Sequence, residues 1–214
     1  QAARRGYKVT LAAATTTLGG RVAKERHLPG LSAWGRVADF RTGQMAVMPD
    51  VEIYRDSRLT PEDILAMGAD HVAIATGASW RRDAVARLHL HPIPTGPAMP
   101  LYTPDDLMAG RCPEGQTVAL YDDDHFYMGS VLAELLVAKG NRVHFVTPAV
   151  KVAEWTDNTL EQGTIMRRLM ELGVEIHLSK APEAIGAAEI TLGCTWTGRE
   201  TTLATDAVVY VTSR

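Results

Sequence analysis

Cysteine is nearly absent from this chain, with only Cys112 and Cys194 among 214 residues. Neither has the close spacing of a zinc site, an iron–sulfur site or a redox pair, so both read as ordinary thiols. An excess of one charge is lacking too: 22 basic residues face 25 acidic ones, a net charge of -3, which removes the electrostatic case for nucleic acid. No apolar run approaches the length of a membrane span, and no charged-then-apolar leader opens the chain. The expectation is a cytoplasmic protein without membrane contact. Histidine pairs at i, i+4 are also missing. His71, His89, His91, His125, His144 and His177 are scattered without the spacing that metal ligation wants, so no metal site is expected.

What the chain does have is apolar mass, 46% of its residues, enough for a sizeable core in one or two domains. The stretch from Thr117 to Thr147 organises the rest. Thr117 to Tyr121 is a short apolar run suited to a strand buried on both faces. Met128 to Lys139 places Val131, Leu132, Leu135 and Leu136 at helical spacing, Gly140 stops that helix, and Arg142 to Thr147 begins a second strand. Such a unit binds a dinucleotide when its turn is glycine-rich and bare backbone amides reach the pyrophosphate. Here the turn is Asp122-Asp123-Asp124-His125-Phe126-Tyr127. At an effective dielectric of about 20, each like-charge pair about 5 Å apart costs roughly 3 kcal/mol. The expectation is a nucleotide-type fold whose second nucleotide site is shut by an acidic patch, with one aspartate also capping the helix.

The remaining elements follow from local chemistry. Gln1 to Gly6 resembles the last turn of a helix closed by glycine, and Tyr7 to Ala13 reads as a strand, so the chain is expected to be a piece of a longer protein. Ser32 is expected to cap a helix from Ala33 to Met48, with Trp34, Val37 and Phe40 packed on the core; a docking surface over Trp34 to Phe40, with Arg36 between the two aromatics, is the other reading. Val51 to Tyr54 is a strand, and Thr60-Pro61-Glu62-Asp63 and Thr103-Pro104-Asp105-Asp106 are helix openings. His71 to Ala78 reads as a buried strand, and Pro92, Pro94, Pro97 and Pro100 mark an extended junction. Asn158 to Leu172 is a helix, Val174 to Leu178 a strand, Ala188 to Thr205 a hairpin about Gly198, and Ala207 to Thr212 a final buried strand. Trp155 is expected to pack on the acidic turn. The fold class expected is α/β, two Rossmann-like domains of the glutathione-reductase FAD/NAD(P)-binding type, the first incomplete at its N-terminus. They would span residues 1–100, with a proline-rich linker from about 81, and 101–214.

Several strings resemble the C-terminal half of the trimethylamine and dimethylamine dehydrogenases, a family that includes histamine dehydrogenase. They are Leu18-Gly19-Gly20, Leu28-Pro29-Gly30-Leu31, Gly68-Ala69-Asp70-His71 running into Ala75-Thr76-Gly77-Ala78, Asp122 to Met128, Thr159-Leu160-Glu161, and Met166-Arg167-Arg168-Leu169. The resemblance implies a parent enzyme whose upstream barrel carries covalent FMN and an iron–sulfur cluster. That barrel would oxidise an amine and pass electrons to an electron-transferring flavoprotein, with the parent a homodimer. It also implies that this chain holds no catalytic residue. ADP is expected in the first domain at Ala13, Gly19, Gly20, Arg21, Arg58, Leu59, Ala75, Thr76, Gly77 and Trp80. Ala13 stands where the family presents an acidic residue to the ribose, a loss of about 1.5 to 3 kcal/mol. The hydroxyls of Thr15, Thr16 and Thr17 are candidates to replace it.

Two other readings compete. A fragment of an NADPH-dependent reductase like the 2,4-dienoyl-CoA reductases shares the three-part plan, but would need phosphate at the acidic turn. The second is a non-catalytic docking platform for an electron-carrier flavoprotein. No NAD(P)H is expected to bind.

Overall fold

Two strands are all the sheet that the first 77 residues form. The structure, a computed structural model, describes residues 1–214 and divides them between Gly77 and Ala78. In the first unit a 3-10 turn at Ala3–Arg5 closes on Gly6 at φ +83°, a left-handed value that glycine adopts without steric cost. Strand β1 (Val9–Ala12) runs parallel to β2 (Val51–Tyr54), with Leu11 opposite Ile53. Between them lie α1 (Val22–Glu25) and α2 (Gly35–Ala46). Helix α3 (Pro61–Ala66) opens on a capping box: the Thr60 amide donates to the Asp63 carboxylate at 2.8 Å, and the Asp63 amide to the Thr60 hydroxyl at 3.2 Å.

Three expectations for this unit are corrected. His71 to Ala78 forms no strand and is exposed, Ile74 by 79%, because the sheet stops at β1 and β2 and a strand exists only where a neighbour completes its ladder. Ser32 begins a 3-10 turn, and the N-cap of α2 is Trp34 instead. Trp34, Val37 and Phe40 are exposed rather than packed on a core. Apolar spacing marks a helix face, but not what covers it.

The second unit begins with an extended segment and then forms β3 (Leu101–Tyr102), α4 (Pro104–Met108), β4 (Thr117–Asp122), α5 (Tyr127–Ala138) and β5 (Arg142–Val146). After a 3-10 turn at Glu154–Thr159 come α6 (Gln162–Glu171), β6 (Glu175–His177), β7 (Lys180–Ile185), β8 (Glu189–Cys194), β9 (Glu200–Ala204) and β10 (Ala207–Val211). Five strands make a parallel sheet in the order β3-β10-β4-β5-β6, and β7-β8-β9 form a separate antiparallel sheet.

Alternation along the strands assigns the two faces of the parallel sheet. Ala119, Tyr121, Val146, Val208 and Tyr210 join Ala181, Ile185, Ile190 and Leu192 of the antiparallel sheet in one buried cluster. Helix α5 packs on β4 and β5, burying Met128, Leu132, Ala133 and Leu136. Each large side chain so buried contributes about 1.5 to 3 kcal/mol. No helix is long and apolar enough to cross a membrane.

The proline-rich stretch is part of this unit rather than a junction. Ala84, Ile93 and Met99 sit in its core, the Gly96 amide donates to the Ile185 carbonyl at 2.7 Å, and the Ile185 amide to the Pro94 carbonyl at 2.9 Å. Proline lacks an N–H but keeps its carbonyl, so the segment can still lie along β7. The helix expected from Asn158 begins instead at Gln162, because Leu160 takes φ +61° and is 91% exposed. The fold-class expectation of two Rossmann-like domains is not met: the first unit has only the β1–β2 pair, and the second carries an antiparallel sheet on one face of its parallel sheet.

Candidate functional site

The acidic turn leaves the C-terminal end of β4, where parallel sheets of this class bind ligands. Its residues do not present a row of charges to solvent. Asp122 is fully buried and its Oδ1 accepts the amides of Asp124 at 3.3 Å and His125 at 3.4 Å. Burial pushes its carboxyl up to about 7, against the opposing pull of the His125 charge. Asp123 is buried as well, and its Oδ2 accepts the amides of Arg87 and Leu88, each at 2.9 Å. Only Asp124 is half-exposed.

The turn is pinned from every side. The amides of Asp123 and Asp124 donate to the Val211 carbonyl of β10 at 2.9 and 3.2 Å. His125 takes φ +64° and brings Nε2 to 3.0 Å from Asp123 Oδ1. Burial lowers the His125 pKa, but the Asp123 contact and the Asp122 charge outweigh it, and the net shift is upward. Arg87 donates through Nε to the Asp123 carbonyl at 3.2 Å and lies 4.0 Å over the Trp155 ring. The Trp155 amide donates to the His125 carbonyl at 3.1 Å, and its ring meets Phe126 edge-on, so Trp155 does pack on the turn.

The site is therefore filled differently from the sequence expectation. The amides of Asp124 and His125 are turned onto Asp122, and the Asp123 carboxylate takes two amides of the 78–100 segment where a phosphate would compete for them. The Asp122 and Asp123 carboxylates are buried and form no acidic surface. Beside the turn is a cavity of about 390 Å³ lined by Ala86, Arg87, Asp124, Thr212, Ser213 and Arg214.

Nine of the ten residues expected to hold ADP lie in the first unit and Trp80 in the second. Ala13 follows β1; its amide donates to the Tyr54 carbonyl at 2.9 Å and its carbonyl accepts from the Ser57 amide at 2.9 Å, which brings it beside the loop of Arg58 and Leu59. Gly19 and Gly20 take φ +111° and +55°, and Arg21 starts α1. A Cβ on Gly19 would stand 3.0 Å from Ala38 Cβ, so this glycine permits the close approach of α2. Ala75, Thr76 and Gly77 are exposed and in no strand. Trp80 is buried, its amide donating to Asp105 at 2.8 Å and its ring lying under the Arg214 guanidinium at 4.7 Å. Thr15 donates its hydroxyl to the Thr17 carbonyl, so one candidate substitute for the ribose acceptor is engaged locally.

One cluster escaped the reading of the sequence. His144 on β5 and Glu175 and His177 on β6 converge, with His144 Nδ1 lying 3.1 Å from His177 Nε2 and 3.4 Å from Glu175 Oε2. Burial lowers the pKa of both histidines, and Arg142 holds the Glu175 carboxyl below its usual range. The sequence separation of 33 residues hid the pair, although the i, i+2 spacing of Glu175 and His177 on one strand was a usable signal.

The fold and the turn define an α/β protein whose acidic turn, at the C-terminal end of β4, is held by backbone amides of the chain itself. Residues 102–202 match the family described as the OYE-like second alpha/beta domain, which overturns the assignment of two Rossmann-like FAD/NAD(P)-binding domains. The chain is 55% identical to histamine dehydrogenase from Rhizobium sp. 4-9, with a TM-score of 0.96, over 99% of its own length and 33% of that chain. It is 45% identical to 6-hydroxypseudooxynicotine amine oxidase from Pseudomonas geniculata N1, with a TM-score of 0.95, over 99% of its length and 32% of that chain. Dimethylamine dehydrogenase from Hyphomicrobium sp. (strain x) is 32% identical over 179 residues, 80% of this chain and 24% of the relative. The chain is thus a homologue of part of the dimethylamine and histamine dehydrogenases, spanning between about a quarter and a third of their length.

Proposed function

We propose that this chain is the C-terminal, ADP-binding and accessory portion of an iron–sulfur flavoprotein amine dehydrogenase. The observation that carries the reading is the 55% identity to histamine dehydrogenase over 99% of the chain. In this reading the chemistry lies upstream, where FMN supplies an acceptor for the electrons of the amine and the iron–sulfur cluster relays them to an electron-transferring flavoprotein. The intact protein is a cytoplasmic homodimer. The contribution of this chain is to hold ADP in the first unit and to keep nicotinamide nucleotides out of the second.

Two features support that division of labour. Gly19 and Gly20 put a permissive backbone ahead of α1, where Arg21 stands at the N-cap with its Nε 3.9 Å from Glu25 Oε1. At the second crevice, Asp123 already holds the amides of Arg87 and Leu88, which weighs against the reductase alternative.

The test uses the intact protein under anaerobic conditions. Histamine, dimethylamine and related amines are expected to bleach its flavin absorbance, and NADPH to leave it unchanged. Bleaching by NADPH and by none of the amines would overturn the reading. A separate calorimetric titration with ADP is expected to give one site per chain, weakened about tenfold in Arg21→Ala. Absence of ADP binding would remove the ADP role alone.

A further inference from the structure

Strand β6 is the edge of the parallel sheet and only three residues long, yet two of its residues and one from β5 aim polar atoms at a single point. The register places His144 opposite Glu175 and Val146 opposite His177, and the period of two puts His144, Glu175 and His177 on one face. Their donor atoms all lie within 4.8 Å of one another. Zinc–nitrogen bonds of about 2.0 to 2.1 Å set tetrahedral donors about 3.3 Å apart. The separations of 3.1 Å between the two imidazole nitrogens and 3.4 Å from His144 to Glu175 fall at that spacing.

We propose that His144, Glu175 and His177 form a binding site for a divalent cation of the zinc class, which clips the edge strand β6 to β5. Two imidazoles and one carboxylate are the donor set of three-ligand zinc sites, where water completes the shell. The surroundings support the ligands. Arg142 donates Nε and Nη2 to Glu175 Oε1 at 2.8 and 2.6 Å, which orients the carboxylate and leaves Oε2 directed at His144. His144 is buried with 3% exposure, so its imidazole is ordered by packing before any ion arrives. Two cations oppose binding: Arg142 itself, and Lys180, whose Nζ is 3.1 Å from the Thr201 hydroxyl. The competing arrangement is a direct hydrogen bond between the two imidazoles. This inference is independent of the amine dehydrogenase reading, since neither its residues nor its test involve amine oxidation.

The experiment is zinc titration of the intact protein in competition with a chromophoric chelator, alongside His177→Ala and Glu175→Gln, each checked by circular dichroism. One zinc per chain is expected, weakened at least about tenfold in both variants. Zinc should also raise the unfolding midpoint of the wild type and not of the variants. Should His177→Ala not fold, Glu175→Gln decides alone, because Glu175 is an exposed residue. A smaller loss of affinity, or no competition for zinc by the wild type, would overturn the site in favour of the imidazole hydrogen bond.

Discussion

Gly129, in the first turn of α5, stands directly against the carboxylate of Asp122: a Cβ built on the glycine would lie 2.7 Å from Asp122 Cγ. Glycine is therefore what lets a carboxylate fold back beneath the helix. In Gly129→Ala the gain in helix propensity of about 1 kcal/mol is outweighed by overpacking of about 1 to 3 kcal/mol and by loss of the Asp124 and His125 hydrogen bonds. The expected net result is destabilisation by about 1 to 2 kcal/mol in urea unfolding. A more stable variant would show that Asp122 has room to move.

Asp123 joins the turn to the 78–100 segment. Asp123→Ala leaves the amides of Arg87 and Leu88 without their acceptor, at a cost of about 2 to 4 kcal/mol. Hydrogen exchange at those two amides should accelerate more than at the β4 and β5 amides. Unchanged protection at both would mean that the segment is held by other contacts.

The same turn makes stability depend on pH. Asp122 and His125 both have raised pKa values when folded, so both bind protons more tightly in the native state. For Asp122 the contribution is complete below about pH 4, the unfolded carboxylate value, and is lost as pH rises through about 7. His144 and His177, with lowered values, act in the opposite sense, so a difference measurement isolates the turn. Relative to Asp122→Asn, the wild type is expected to lose about 2 to 4 kcal/mol between roughly pH 4 and pH 8. A wild-type advantage that grows with pH would contradict the assignment.

Asp106 behaves in the reverse way. Burial alone would raise it, but the guanidiniums of Arg111 and Arg82 and the Thr103 amide outweigh burial and hold it at about 2. Its contribution is present above about pH 4 and lost as pH falls through about 2. Asp106→Ala should cost about 2 to 4 kcal/mol at pH 7, since the buried Thr103 amide loses its cap. An acid-unfolding midpoint identical in variant and wild type would rule this out.

The strand–turn–helix–strand stretch from Thr117 to Val146 and the two Thr-Pro helix openings were legible in the sequence, because periodicity, caps and glycine stops act over a few neighbouring residues. Only the tertiary structure decided that Asp122 and Asp123 face inward onto backbone amides, that His71 to Ala78 joins no sheet, and that His144 meets Glu175 and His177. Those outcomes depend on sheet register and on which segment covers which face. Such choices join residues far apart in the chain, and no local pattern of side chains encodes them.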